Sequence, residues 1–491
     1  MTRTLESPPN LDQLKKQAKD LQKEHEAKSS DSALRIQSHH PEFSKLSLDS
    51  IQQSSFTLAD AQLTLAREYN FASWQKLKSY VESFPLHGKL KAAISANEVA
   101  QVKAMIRTNP ELLQAPIGYG GGGPLVWAAE CRIPRSAPSR ERLEITQFLI
   151  DSGADVHENG DCALMRAALV DERIPMMEIL VANGADVNGK VGGRYPVIHG
   201  SCECLAPRAL KWLLDHGADP NATDSSDQSS FTSLDMAIGT YDRNPKQREL
   251  VNALIEAGGK SKFSEFPSIF IHRGRLDLLK EAIEADPNLV HQRFPELDYG
   301  ATGARALNLK GATLLHVAAD YGDVEAIRLL VEHGANVNAP ALIDERGVGG
   351  QTPIFHSATQ FWDFGREATK LLIEHGANLT IRVKVPSYYD KPGEFLVVTP
   401  LGYSARFPYR LTEHGASEHS GTLNLLVESG AIAGDVYSAA LLGLVDELRT
   451  LLASGGDPNE SHPLGETAIS AAISMGHAEA TRILRAAGAR E

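Results

Sequence analysis

Three groups of residues in this 491-residue chain have the types and spacings from which chemistry could be built. His199, Cys202 and Cys204 offer an imidazole and two thiols, the softest cluster in the chain and suitable ligands for zinc. A Cys-x-Cys pair has no second pair at zinc-finger spacing here, and the segment reads as a buried helix, so ligation is not expected. Glu413-His414 and Glu418-His419 also concentrate ligand types, but no His-Glu-x-x-His occurs and the segment reads as an irregular insertion. Gly118-Tyr-Gly-Gly-Gly-Gly-Pro124 is similar to a phosphate-cradling loop in its glycines alone, because no Gly-Lys-Ser/Thr follows and no strand precedes it. It reads as a flexible finger. No Gly-x-Ser-x-Gly elbow, kinase signature or carboxylate pair at defined spacing occurs. The sequence therefore assigns no catalytic residue, no metal and no cofactor.

The elements that would have to position such residues belong to a chain too long for one globular core, which implies several domains or a repeat array. Hydrophobic residues make up 42%, charged residues 23% and aromatics only 6%, the profile of a folded, Ala/Leu-rich helical protein. Lys and Arg number 49 against 62 Asp and Glu, a formal charge of -13 that repels phosphate backbones and anionic lipid head groups. Nucleic acid and membrane are accordingly not expected as partners. Of these charges, 11 basic and 11 acidic residues precede Pro85, so the acidic excess lies wholly after it. Residues 1–84 are electrically a different module. Met1 to Lys16 carries Pro8, Pro9 and several charges where a signal peptide needs an apolar stretch, and no apolar run reaches about 18 residues. A cytoplasmic location is expected. Cys131, Cys162, Cys202 and Cys204 show no framework spacing, which fits a reducing compartment.

One phrase recurs along the chain: Gly153-Ala-Asp-Val-His157, Gly184-Ala-Asp-Val-Asn188, Gly217-Ala-Asp-Pro-Asn221, Gly334-Ala-Asn-Val-Asn338, Gly376-Ala-Asn-Leu-Thr380 and Gly455-Gly-Asp-Pro-Asn459. Steps of 31, 33 and 33 residues separate Gly153 from Gly184, Gly184 from Gly217 and Gly455 from Gly488. Before each glycine lies a short amphipathic helix, such as Val324 to His333, with Val324, Ile327, Leu330 and Val331 on one face. Glycine supplies the left-handed residue that ends it. About ten residues earlier sits a second helix, as in Thr313-Leu-Leu-His-Val-Ala-Ala319 or Thr352-Pro-Ile-Phe-His-Ser-Ala358, where Thr caps and Pro fits the first turn. A longer symmetry pairs Val102–Leu113 with Leu279–Val290 at an offset of 177, each with Asn-Pro or Asp-Pro ending the second helix.

Gly311 to Ala339 resembles the ankyrin repeat, two antiparallel helices followed by a hairpin-like finger. The resemblance covers about four fifths of the chain. It implies an all-α fold, an ankyrin-repeat α-solenoid of about ten helix-pair repeats with finger loops, preceded by a small helical module. Boundaries are expected at 1–84, 85–262 and 263–491, with the unit from Thr467 onward as a polar terminal cap. The resemblance also implies that His199, His316 and His356 tie adjacent loops by hydrogen bonds. Leu58 to Leu77 is similar to a leader found ahead of bacterial ankyrin arrays, and its simplest role is to cap the first repeat with Phe71, Trp74 and Tyr80 packed inward.

The function implied is that of a non-catalytic scaffold or adaptor, monomeric, binding a protein partner through the concave face and inserted loops. Two alternatives stay open: a secreted effector acting on host proteins, and an enzyme with an unrecognised site in the second half. Insertions fall between Gly217 and Gly258, Gly334 and Gly376, and Gly376 and Gly430, and they carry aromatics and arginines, the types that dominate interface energetics. The candidate binding residues are Phe361, Trp362, Phe364, Arg366, Tyr388, Tyr389, Phe395, Phe407, Tyr409 and Arg410.

Overall fold

Apolar residues spaced three and four apart dictate helices, and the computed structural model of the chain is mostly helical. It describes residues 3, 5, 9–130, 136–224, 231–239, 245–299, 307–360, 363–387, 393–406 and 420–490. The chain separates into two units, Met1–Val197 and Ile198–Glu491.

In the first unit, the helix Leu11–Glu26 starts at Asn10, whose side chain accepts the N–H groups of Asp12 and Gln13. Its stripe of Leu14, Ala18 and Leu21 is buried by Ser30–His39, Leu48–Gln53 and Leu58–Glu68. Thr57 and Asp60 form a reciprocal capping box at the start of Leu58–Glu68. Two apolar clusters result, one around Leu21, Ile36, Ile51 and Phe56, the other around Leu14, Leu65, Leu77 and Val81. Phe71, Trp74 and Tyr80 are half-buried against the second of these. Glu68, only 2% exposed, receives Arg35 on both carboxylate oxygens at 2.7 and 3.0 Å.

Trp74–Ser95 then runs through Pro85 as one helix, so the charge boundary between residues 84 and 85 falls inside it. Leu77 and Val81 face the bundle core, while Leu90, Ala93 and Ile94 are buried further along. Helices that come first in their pairs pack on one another, Trp74–Ser95 on Pro124–Glu130 and that on Cys162–Ala167. Second helices form a parallel row, Val99–Thr108, Arg140–Asp151 and Ile174–Ala182. Gly153 and Gly184 end the last two at a φ of 101°, a conformation any other residue adopts only with strain. A short hairpin pairs Lys190–Val191 with Tyr195–Pro196.

The second unit repeats the rule. From Ser268–Arg273 onward its first helices, with Leu314–Asp320, Pro353–Ser357, Pro400–Arg406, Val436–Leu441 and Ala468–Ser474, each pack on the next. Being covered on all sides, Leu314–Asp320 buries every residue, and Ala318 and Ala319 let the neighbouring backbones approach. Second helices are covered on one face only: Val324–Glu332 buries Ala326, Ile327 and Leu330, with Val324 and Val331 half-buried beside them. The longer symmetry is real in form, because Val99–Thr108 and Leu276–Ala285 both stop before an Asn or Asp and pass into short 3-10 turns at Pro110–Gln114 and Pro287–His291.

The hairpin-like fingers carry short strands. Val383–Pro386 pairs with Phe395–Val398 as an antiparallel hairpin. Single bridges join Ile343 to Gly349 and Gly349 to Lys384, so two successive fingers form one small sheet.

Candidate protein-interaction surface

The residues with metal-binding or catalytic types serve the fold. His199 places Nε2 3.0 Å from the carbonyl oxygen of Ala222. Cys202 is fully buried in Val197–Glu203, and that burial pushes its thiol up to about 12, which holds it protonated. Among the described residues no group of three or more His, Cys, Asp and Glu is arranged to hold a metal. Glu413, His414, Glu418 and His419 lie outside the described residues. His316 donates from Nε2 to the Gln351 carbonyl at 3.0 Å and accepts the Thr313 N–H at Nδ1 at 3.1 Å, which assigns one neutral tautomer. Burial, with the His356 ring, pushes its pKa down to about 3. His356 in turn sits 3.1 Å from the fully buried carboxylate of Asp320. These imidazoles join neighbouring repeats.

The glycine-rich loop is tied by hydrogen bonds from its backbone. Gly118 N–H donates to the carbonyl of Gly122 at 2.6 Å, Tyr119 N–H to Glu130 at 3.1 Å and Gly123 N–H to Glu158 at 2.8 Å. Arg166 pairs with Glu130 at 3.0 Å and lies 4.2 Å from the Tyr119 ring centre. Carboxylates of the chain thus occupy donors that a phosphate would need.

One position escaped the sequence reading although its spacing is regular. Eleven residues before the helix-ending glycine stand Arg142, Arg173 and Gln247. Arg142, 4% exposed, donates to Ile94 O at 2.6 Å, Ser95 O at 3.3 Å and Ala128 O at 3.3 Å, the last carbonyls of two first helices. Its Nε donates to Asn97 at 2.7 Å. Arg173 reaches Ala129 O and Arg166 O at 3.3 Å, and Gln247 reaches Ala237 O at 2.8 Å. Donors at this position satisfy the orphan carbonyls of the first helices, and a cation there also matches the negative end of the helix dipole.

Of the candidate binding residues, Phe364, Arg366 and Phe395 are among the described residues. Phe395 lies on the finger hairpin with the Arg346 guanidinium 5.3 Å and the Lys384 ammonium 4.9 Å from its ring centre. Phe364, 43% exposed, lines a cleft of about 260 Å³ between Arg248, Tyr321 and Asp323, in which Arg248 pairs with Asp323 at 2.8 Å. Arg366 opens the helix Arg366–Glu374 and pairs with Glu367 at 2.9 Å. Phe361, Trp362, Tyr388, Tyr389, Phe407, Tyr409 and Arg410 lie outside the described residues.

Exposed apolar residues do gather on the finger sheet. Ile343, Gly349, Lys384 and Val397 stand in one row across it, and Ile343 and Val397 are 61% and 56% exposed. Val383, Val385 and Val398 are buried beneath. Further along, the buried Arg406 guanidinium bonds Asp435 and Glu460 at 2.8 Å each and lies 4.8 Å from the Tyr437 ring centre, while Tyr437 donates to Glu466 at 2.7 Å. Burial raises the Tyr437 phenol well above its ordinary value, and burial beside Asp435 raises Glu460. This network locks three repeats together by pairing each buried charge.

Helix pairs that bury their apolar faces only against adjacent pairs, each joined to the next by a finger, define a repeat protein. Residues 135–224 and 244–383 match the family model for ankyrin repeats in three copies, and the chain is an ankyrin-repeat protein. A search of curated proteins finds no match. Ankyrin repeats are generally protein-interaction modules. Among the described residues no helix is long and apolar enough to cross a membrane.

Proposed function

We propose that this protein is a non-catalytic, cytoplasmic scaffold that binds a protein partner through the fingers and inserted loops of about ten ankyrin repeats. Residues 1–84 act in this reading as a leader that caps the array, and residues 85–262 and 263–491 as its two half-arrays. The supporting observation is the finger sheet, whose outer row exposes Ile343 and Val397 although its inner valines already supply the packing. Apolar side chains presented in register on a rigid support are what an interface core needs. The inserted loops add Phe361, Trp362, Tyr388, Tyr389, Phe407, Tyr409 and Arg410 to the same proposal.

Affinity capture of the full chain from its native cell, followed by titration with the purified partner, tests this. Replacing Trp362, Tyr388 and Tyr389 together by alanine should weaken the partner at least tenfold, with helical circular dichroism and melting unchanged. Loss of folding would make these rings packing residues. Capture of no partner, or stoichiometric zinc in the purified protein, would sink the scaffold reading.

A further inference from the structure

Among the described residues the finger sheet ends on an open edge. In the hairpin Val383–Pro386 with Phe395–Val398, Ser387 N–H donates to the Glu394 carbonyl at 2.9 Å, which marks that pair as hydrogen-bonded. Alternation makes Val385–Leu396 and Val383–Val398 bonded pairs too, and turns the backbone groups of Lys384, Phe395 and Val397 away from the partner strand. On the Lys384 side the preceding finger takes this up, since Gly349 N–H donates to the Lys384 carbonyl at 2.8 Å. On the far side the backbone groups of Phe395 and Val397 have no hydrogen-bond partner among the described residues. The next finger is only the seven residues 429–435 between Ser420–Glu428 and Val436–Leu441, and it meets the hairpin through Arg382 to Gly434 O and Thr399 to Ile432 O. It supplies no strand.

Natural sheets protect such an edge with charge, proline or a bulge. This one carries Phe395-Leu396-Val397-Val398. We propose that the edge takes an extended, uncharged segment of a partner protein as one more antiparallel strand, with β-branched residues set against Val397 and Phe395. The proposal deepens the protein-binding reading above and rests on it. Main-chain bonds from the two outward residues supply affinity, and the exposed side chains of the row supply choice.

A second copy of the chain is the poorer occupant. Pairing two four-residue edges across a two-fold axis forms about four backbone bonds. It buries far less than the roughly 1,200 Å² of a stable interface. Each copy also brings a formal charge of -13, which opposes self-association. An extended, uncharged peptide meets no such repulsion, and it needs only the few main-chain bonds that the edge offers.

The test uses the full chain and a fluorescein-labelled, acetylated heptapeptide of alternating valine and threonine, followed by anisotropy. Wild type should bind it and slow the amide exchange of Phe395 and Val397 at least fivefold, and the same peptide N-methylated at every second residue should not bind. Val397→Pro removes an outward N–H and no internal bond, and Val397→Glu charges the exposed face without touching the backbone. Each should weaken the heptapeptide at least tenfold with helical circular dichroism unchanged; if the proline variant misfolds, the glutamate variant decides. Three results overturn the proposal: no binding by wild type, equal binding by Val397→Glu, or a concentration-dependent dimer in sedimentation that Val397→Glu abolishes. A native partner held equally by wild type and Val397→Glu overturns it as well while leaving the scaffold reading standing.

Discussion

Arg142 shows how a single residue is fixed by this architecture. Its charge is buried with no carboxylate bonded to it among the described residues, and its guanidinium donates to the ends of two helices and to Asn97. Hydrogen bonds from a charged donor are each strong, and their loss leaves carbonyls of two helices unsatisfied. Arg142→Ala should therefore lower the stability of the first unit by about 3 kcal/mol, read as a shift of the urea midpoint. A loss under about 1 kcal/mol would show that water replaces the guanidinium. The position was legible in principle, because it stands eleven residues before Gly153, Gly184 and Gly258 alike. It was overlooked because Arg, Arg and Gln share only the ability to donate, which a search for one residue type does not register. The histidines were easier, since His316 and His356 keep their type at equivalent places.

At the scale of elements, helices and fingers differ in how much of their stability is local. A helix such as Val324–Glu332 carries its own period, its Asp323 cap and its terminal glycine in adjacent residues. The finger sheet draws one row from residues 343, 349, 384 and 397, contributed by separate repeats. Gly349 is its keystone: φ is +118°, and a Cβ there would meet the Leu342 carbonyl. Gly349→Ala should cost about 1–3 kcal/mol of local strain and release the bond to Lys384. Hydrogen exchange at the Gly349 amide should accelerate at least tenfold while helical circular dichroism stays as in wild type. Wild-type exchange in that variant would mean that the finger tolerates the strained conformation.

Across the molecule, stability should follow neighbours. Within the second unit, Val436–Leu441 is covered by Ala468–Ser474, and Tyr437 bonds Glu466 from the last repeat. Deleting residues after Ser461 removes both. In a nearest-neighbour array the amides of Val436–Ala453 should then exchange at least tenfold faster, while those of Leu314–Glu332 keep their protection. Loss of protection spread evenly over both segments would show that the unit unfolds as one body.

By itself the sequence determined the helix pairs, their period, their left-handed glycines and the ankyrin family, because each of these is written in residues within one turn or one repeat of each other. Only the tertiary structure decided that Phe364 lines a cleft while Phe395 lies on the finger sheet, and that the edge at Phe395 and Val397 has no partner strand among the described residues. The reason is physical. A backbone group is satisfied or left free by whichever strand arrives beside it, and here those strands come from different repeats, at distances along the chain that no local pattern records.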